Sequence, residues 1–197
     1  MMIPLAAMLS AALWAPSSQA AAAPVAPPPA MKLPLGAPAD EPSSKSENLK
    51  DGVKAAKSLL QAAAQLNGFD IWQRSRAQLP WQAADPDYAN EVRRFAYYFR
   101  DFSQKCQQLE LKLKTLSEQA LPQNAALLSW AEQLARHATD LREQANWLET
   151  QARDGMPDLR EAGYSAQAVE FQQTALATAA FTRRLDAHAV EILRKIR

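Results

Sequence analysis

The chain has 197 residues, with 22 Lys and Arg against 21 Asp and Glu and a net charge of +1. So even a balance gives no electrostatic footprint for nucleic acid, which is excluded as a partner. Five Gly are too few for a fold of many tight turns, and the lone Cys106 rules out an intramolecular disulfide, so the composition points to long helices joined by few connections.

Residues 1–20 read as a secretory signal peptide. Ile3 to Ala15 form an apolar run too short to cross a bilayer as a helix but suited to an h-region. Pro16 breaks the run, and Ser18-Gln19-Ala20 supplies small residues for cleavage after Ala20. No Lys or Arg precedes the run, and the competing reading is an Ala/Pro-rich leader on a cytoplasmic protein. Residues 21–45 are expected to be a disordered Ala/Pro-rich linker, because its repeated prolines forbid regular helix and favour extended polyproline stretches.

A first helix is predicted over 46–67, from Ser46 as N-cap to the Asn67-Gly68 pair, with Leu49, Val53, Ala56, Leu60 and Ala63 on its apolar face. A short helix over 70–79 follows, ahead of Pro80. The second long helix, 86–120, has Asp85 as cap, Pro86 in its first turn and Asp87 at the positive end of the dipole. Tyr88, Val92, Phe95, Phe99, Phe102, Cys106, Leu109, Leu113, Leu116 and Ala120 alternate there at spacings of 4 and 3, the a/d repeat of a coiled coil.

Pro122 ends that helix, and a third is predicted over 124–154 after a connection short enough to make the two antiparallel. Its seam alternates Leu and Ala: Leu127, Ala131, Leu134, Ala138, Leu141, Ala145, Leu148 and Ala152. Small Ala knobs permit close approach of backbones, so a tight hairpin with the second helix is expected. Gly155 and Pro157 are expected to close the third helix. A linker follows, with a single turn between Asp158 and Gly163. Ser165 then caps a last helix over 165–196 whose seam, Phe171, Thr174, Thr178, Phe181, Leu185, His188 and Ile192, admits polar residues. The fold class is therefore all-α: an antiparallel bundle of about four helices with coiled-coil-like heptad seams over 46–197.

Enzymatic signatures are missing from the sequence. It contains no Gly-rich phosphate loop, HExxH, CxxC or GxSxG, and neither His137 nor His188 follows a Glu by three residues as a di-iron bundle requires. No catalytic residue, metal ligand or cofactor is assigned. Cys106 on its apolar seam reads as a small hydrophobe. His188, with Asp186 and Glu191 nearby in sequence, reads as a histidine at the bundle margin; its rival role is a haem or metal ligand or a pH switch.

Aromatic residues concentrate between Phe69 and Phe102 and share that stretch with five arginines. Trp, Tyr and Arg are the residues enriched at binding hot spots. The candidate interaction surface is Trp72, Trp81, Arg93, Arg94, Tyr97 and Tyr98, with Trp147 added because it lies off the Leu/Ala seam. Its competing role is a bulky core closing one end of the bundle. The resulting expectation is a periplasmic or secreted, non-catalytic protein. It binds protein partners of the cell envelope as a scaffold, adaptor or assembly factor; its long seams with extra apolar faces also allow self-association into a homo-oligomer, and no transmembrane segment is expected in its mature form. Two alternatives stand beside it: a periplasmic ATP-independent chaperone, and a bundle that binds haem or a small apolar ligand along Thr174, Thr178 and His188.

Overall fold

The computed structural model describes residues 42–69, 71 and 86–197. The signal peptide, nearly all of the Ala/Pro-rich linker, Asp85, and the short helix over 70–79 apart from Ile71 lie outside the described residues, as do Trp72 and Trp81. Four helices make up the described part: α1 Pro42–Asn67, α2 Pro86–Glu118, α3 Ala125–Glu161 and α4 Ser165–Ile196. At 1.5 Å rise per residue, α2 alone is about 50 Å long.

The heptad pattern explains what is buried. Nine of the ten α2 seam positions, Tyr88 through Leu116, are buried, and Ala120 falls just beyond the helix end and is exposed. All the Leu/Ala seam residues of α3 are buried. In α1 the face is Leu49, Val53, Ala56, Leu59, Ala63 and Leu66, with Leu60 left at the margin. Each buried Leu, Val or Phe contributes on the order of 1.5–3 kcal/mol relative to exposure, which opposes the chain entropy these helices surrender.

Cross-helix contacts fix directions. Between α1 and α2, Lys45 Nζ donates to the Ala120 carbonyl and Phe69 meets Phe95, so the pair is antiparallel. Between α3 and α4, Arg183 pairs with Glu149 and Arg197 with Glu132, again antiparallel. Between α2 and α4, Arg100 pairs with Glu170 and Arg184 with Glu110, so these two run parallel. Lys50 over Trp130 and Asn67 to Gln144 likewise make α1 and α3 parallel.

The four packed pairs are α3 with α4, α2 with α4, α1 with α3, and α1 with α2, in decreasing order of contact. Consecutive helices α2 and α3 are antiparallel as expected, but they sit across the diagonal of the bundle. The expected tight hairpin between them is therefore corrected: the Ala knobs of α3 serve its contact with α4. That helix buries small residues in return, Ala168, Ala175, Ala179, Thr182 and Ala189. A short connection dictates direction, and a diagonal partner satisfies it as well as an adjacent one.

The α4 seam shifts for the same reason. Phe171, Thr178, Leu185 and Ile192 are buried as expected, but the alternate positions are Ala175, Thr182 and Ala189, while Thr174, Phe181 and His188 lie at the margin. Packing against both α2 and α3 turns the buried face to lie between them, where the smaller residue of each neighbouring pair fits.

α3 also continues through Gly155 and Pro157 to Glu161 instead of closing there. Pro157 forfeits one intrahelical hydrogen bond, but carrying the helix on buries Met156 and Leu159, which offsets that loss. The stop comes at Gly163, whose φ of 90° is left-handed; Tyr164 N–H donates to the Leu159 carbonyl and Gly163 N–H to that of Arg160, a Schellman closure. At the other end Asn124 caps α3, its side-chain oxygen accepting from the Ala126 N–H at 2.8 Å. Ser165 is the first residue of α4 and not its cap, and α1 begins four residues ahead of Ser46.

Candidate functional site

The aromatic end of the bundle divides into an interior and an exterior. Phe95 lies at the centre of the interior, with Phe69 at 5.5 Å, Phe99 at 5.3 Å and Phe171 of α4 at 5.0 Å between ring centroids. Tyr88 is buried beside Tyr164, and its hydroxyl donates to the Ile71 carbonyl. These rings are core, and their T-shaped and tilted geometries are those that the ring quadrupoles prefer.

Tyr97 and Tyr98 are the exterior, 66% and 43% exposed, which separates them from every other described aromatic at this end. They touch each other edge to face at 5.5 Å, and Tyr98 leans on Phe69. Arg93 and Arg94 are also exposed. Each arginine lies four residues before a tyrosine, so α2 carries two adjacent Arg-Tyr ridges on its surface. Arg93 is tied to its own helix through the Ala89 carbonyl and Asn90, and the pair lines an open depression with Phe69, Asp87 and Glu91 where α1 ends. The two carboxylates balance the two guanidinium groups, so the ridge is polar at its rim without a strong net charge.

Trp147 is 40% exposed on the outward face of α3. Because α2 and α3 occupy opposite corners, it does not join the Arg-Tyr ridges. Of the seven residues proposed from sequence, the structure brings four together, separates Trp147, and leaves Trp72 and Trp81 outside the described residues.

His188 has partners other than those nearest in sequence. Its Nδ1 is 3.4 Å from Ser117 Oγ and its Nε2 3.6 Å from Glu110 Oε1, both on α2. Asp186 instead accepts from Thr139 Oγ1 at 2.9 Å and Arg142 at 2.6 Å, and Glu191 pairs with Arg194. The order Ser117, His188, Glu110 resembles a nucleophile relay, but the Ser117 hydroxyl donates to the Lys114 carbonyl at 2.7 Å and the residue is buried in the last turn of α2. With its proton engaged by that carbonyl, the hydroxyl is not poised for attack. Thr178 and Thr182 likewise donate to carbonyls of their own helix, so neither hydroxyl is directed at a ligand. Burial pushes the Cys106 thiol from an ordinary 9.0 up to about 12, which makes it unreactive at neutral pH.

Two features were missed from sequence. One is the Thr139–Asp186–Arg142 clasp between α3 and α4, whose members lie too far apart in the chain for any spacing rule to join them. The other is a cleft of about 310 Å³ between α1 and α2, with Leu109, Leu113 and Leu116 along one wall and Gly52 and Ala55 along the other. Gly52 within a helical pattern was the available signal. Among the described residues, no three His, Cys, Asp or Glu side chains gather to hold a metal ion, and no helix is long and apolar enough to cross a membrane. Comparisons with family models, curated proteins and solved structures return no match for this chain.

Proposed function

We propose that this protein is an exported, non-catalytic helical-bundle module that binds a protein partner of the cell envelope through the Arg-Tyr ridges of α2. The observation that carries this reading is the exposure of Tyr97 and Tyr98 beside Arg93 and Arg94, while the neighbouring aromatics are spent on the core. Tyrosine provides a large contact area at small entropic cost, and arginine adds directional hydrogen bonds at the rim. The export part of the reading rests on the signal-like run at Ile3 to Ala15.

The test is mild crosslinking of the full chain in its native cells, with mass spectrometry of partners, comparing wild type with Tyr97→Ala/Tyr98→Ala. Both tyrosines are largely off the core, so the variant keeps its fold, and a partner lost specifically from it supports the reading. A partner retained unchanged refutes this surface, and recovery of the chain in the cytosol refutes the envelope.

A second reading is favoured by the α1–α2 cleft, whose volume falls at the lower end of the range for small-molecule sites. In that reading the bundle takes a small apolar ligand there, between Leu113 and Gly52 and away from the Thr174, Thr178 and His188 wall. Native mass spectrometry of protein purified without detergent would show the bound mass, and Gly52→Leu would abolish it.

A further inference from the structure

α4 is apolar on two sides. Beyond the face it buries against α2 and α3, it exposes Val169, Leu176 and Val190, at 40%, 51% and 52%. Scattered surface hydrophobics are ordinary, but these are seven and fourteen residues apart and so share one ridge. Filling in at spacings of 3 and 4 gives a second heptad seam over 166–194, directed away from the bundle, in which only Gln173, Arg183 and Arg194 are polar. It is about 40 Å long at 1.5 Å per residue.

We propose that this outer seam is a homodimer interface in which α4 packs antiparallel against α4 of a second copy, about a two-fold axis at the level of Thr178. The pattern is self-complementary under that operation. Leu176 of one protomer faces Ala180 of its partner, Val169 faces Ala187, and Val190 faces Ala166, a larger side chain against a small one each time. The polar positions inside the overlap, Gln173 and Arg183, face each other in two symmetry-related layers, where the amide oxygen accepts from the guanidinium. Along the flank nearest α2, Glu170 comes within two residues of the level of Arg184 of the partner, twice in the dimer, on either side of the two Ala177 residues, each one residue from the axis.

Charge decides the orientation and the occupant. A parallel pairing in register would set Arg183 on Arg183 and Arg194 on Arg194 inside the seam, with Glu170 against Glu170 beside it. The antiparallel pairing replaces each like-charge contact in the overlap with an opposite-charge or neutral one. A C2 interface requires one patch that complements itself, and the outer face of α4 meets that condition. Existing pairs are compatible with it: Arg184, bonded to Glu110, and Glu170, bonded to Arg100, lie along the flank of the seam, and Arg183, inside it, keeps 56% of its side chain exposed while bonded to Glu149.

The full chain should sediment as a concentration-dependent dimer, and Leu176→Glu should weaken association at least about a hundredfold, since the charge enters the interface twice. Leu176 is exposed, so the far-ultraviolet circular dichroism of the variant stays that of the wild type, as does its melting temperature at concentrations low enough for both to be monomeric. In a Cys106→Ala background, Ala177→Cys should crosslink to itself through a short bismaleimide. Ala166→Cys should not, but should crosslink when mixed with Val190→Cys. A monomer at every concentration overturns the proposal, as does a dimer indifferent to Leu176→Glu. Self-crosslinking of Ala166→Cys would make the pairing parallel and overturn it equally. These changes leave Tyr97 and Tyr98 intact, so loss of self-association and loss of a separate partner are distinguishable.

Discussion

The α3–α4 and α1–α2 pairs are both antiparallel, and they pack to different depths. Alanine recurs through the α3 seam and is met by alanine and threonine on α4, giving the most extensive contact in the bundle, clasped at its edge by Asp186 with Thr139 and Arg142. α1 and α2 present larger side chains to each other, and between them lies the cleft at Gly52. Close approach follows from matched small residues on both helices; a small residue on one side alone leaves a gap.

The sharpest way to break that contrast is to enlarge a knob in the tight pair. Ala138→Leu adds volume where no space exists and should cost about 3 kcal/mol, read from urea unfolding midpoints. Removing the clasp comes next: Asp186→Ala leaves Thr139 and Arg142 without their acceptor at a largely buried site and should cost about 2 kcal/mol, with Asp186→Asn recovering part of the loss.

Cys106, midway along α2, reports on how dry the interior is. Burial raises its thiol in the folded state, so the unfolded chain loses its proton first as pH climbs. The stability this thiol contributes is complete below the unfolded value near 9 and drains away up to about 12, by roughly 1.4 kcal/mol per pH unit. Thermal melts of wild type and Cys106→Ala should therefore diverge above pH 9 and run parallel below it.

The smallest effect has the opposite sign. A Cβ at Gly52 would meet Leu113 Cδ2 at 3.4 Å and Leu134 Cδ1 at 3.7 Å, ordinary contacts, so Gly52→Ala should stabilise by about 0.5–1 kcal/mol through helix propensity while narrowing the cleft. The same substitution in a pair as tight as α3–α4 would have no room, and a destabilised Gly52→Ala would mean the cleft is already closed.

Much of this was legible in the sequence. The α2 and α3 seams are read directly because a 3–4 alternation leaves one stripe to bury, and Tyr97 and Tyr98 stand outside it. Pro157 misleads a sequence reading because a local rule about proline weighs one lost hydrogen bond and cannot see the burial of Met156 and Leu159 on either side of it. The α4 seam was displaced by one residue at alternate positions, since a helix with two neighbours has its buried centre set by both. The seam pattern puts His188 at the margin of the bundle, where the structure has it, but its partners Ser117 and Glu110 come from another helix and no spacing rule names them.

By itself, then, the sequence determined that the chain folds as helices, where most of them begin and end, and which stripe of each is apolar, because periodicity and capping are local properties of a few consecutive residues. Which helix each stripe meets was decided only in three dimensions. An apolar face is equally satisfied by any partner of fitting shape, and the diagonal placement of α2 and α3, the clasp at Asp186 and the outward seam of α4 all follow from the one arrangement that matches small residues to small across α3 and α4.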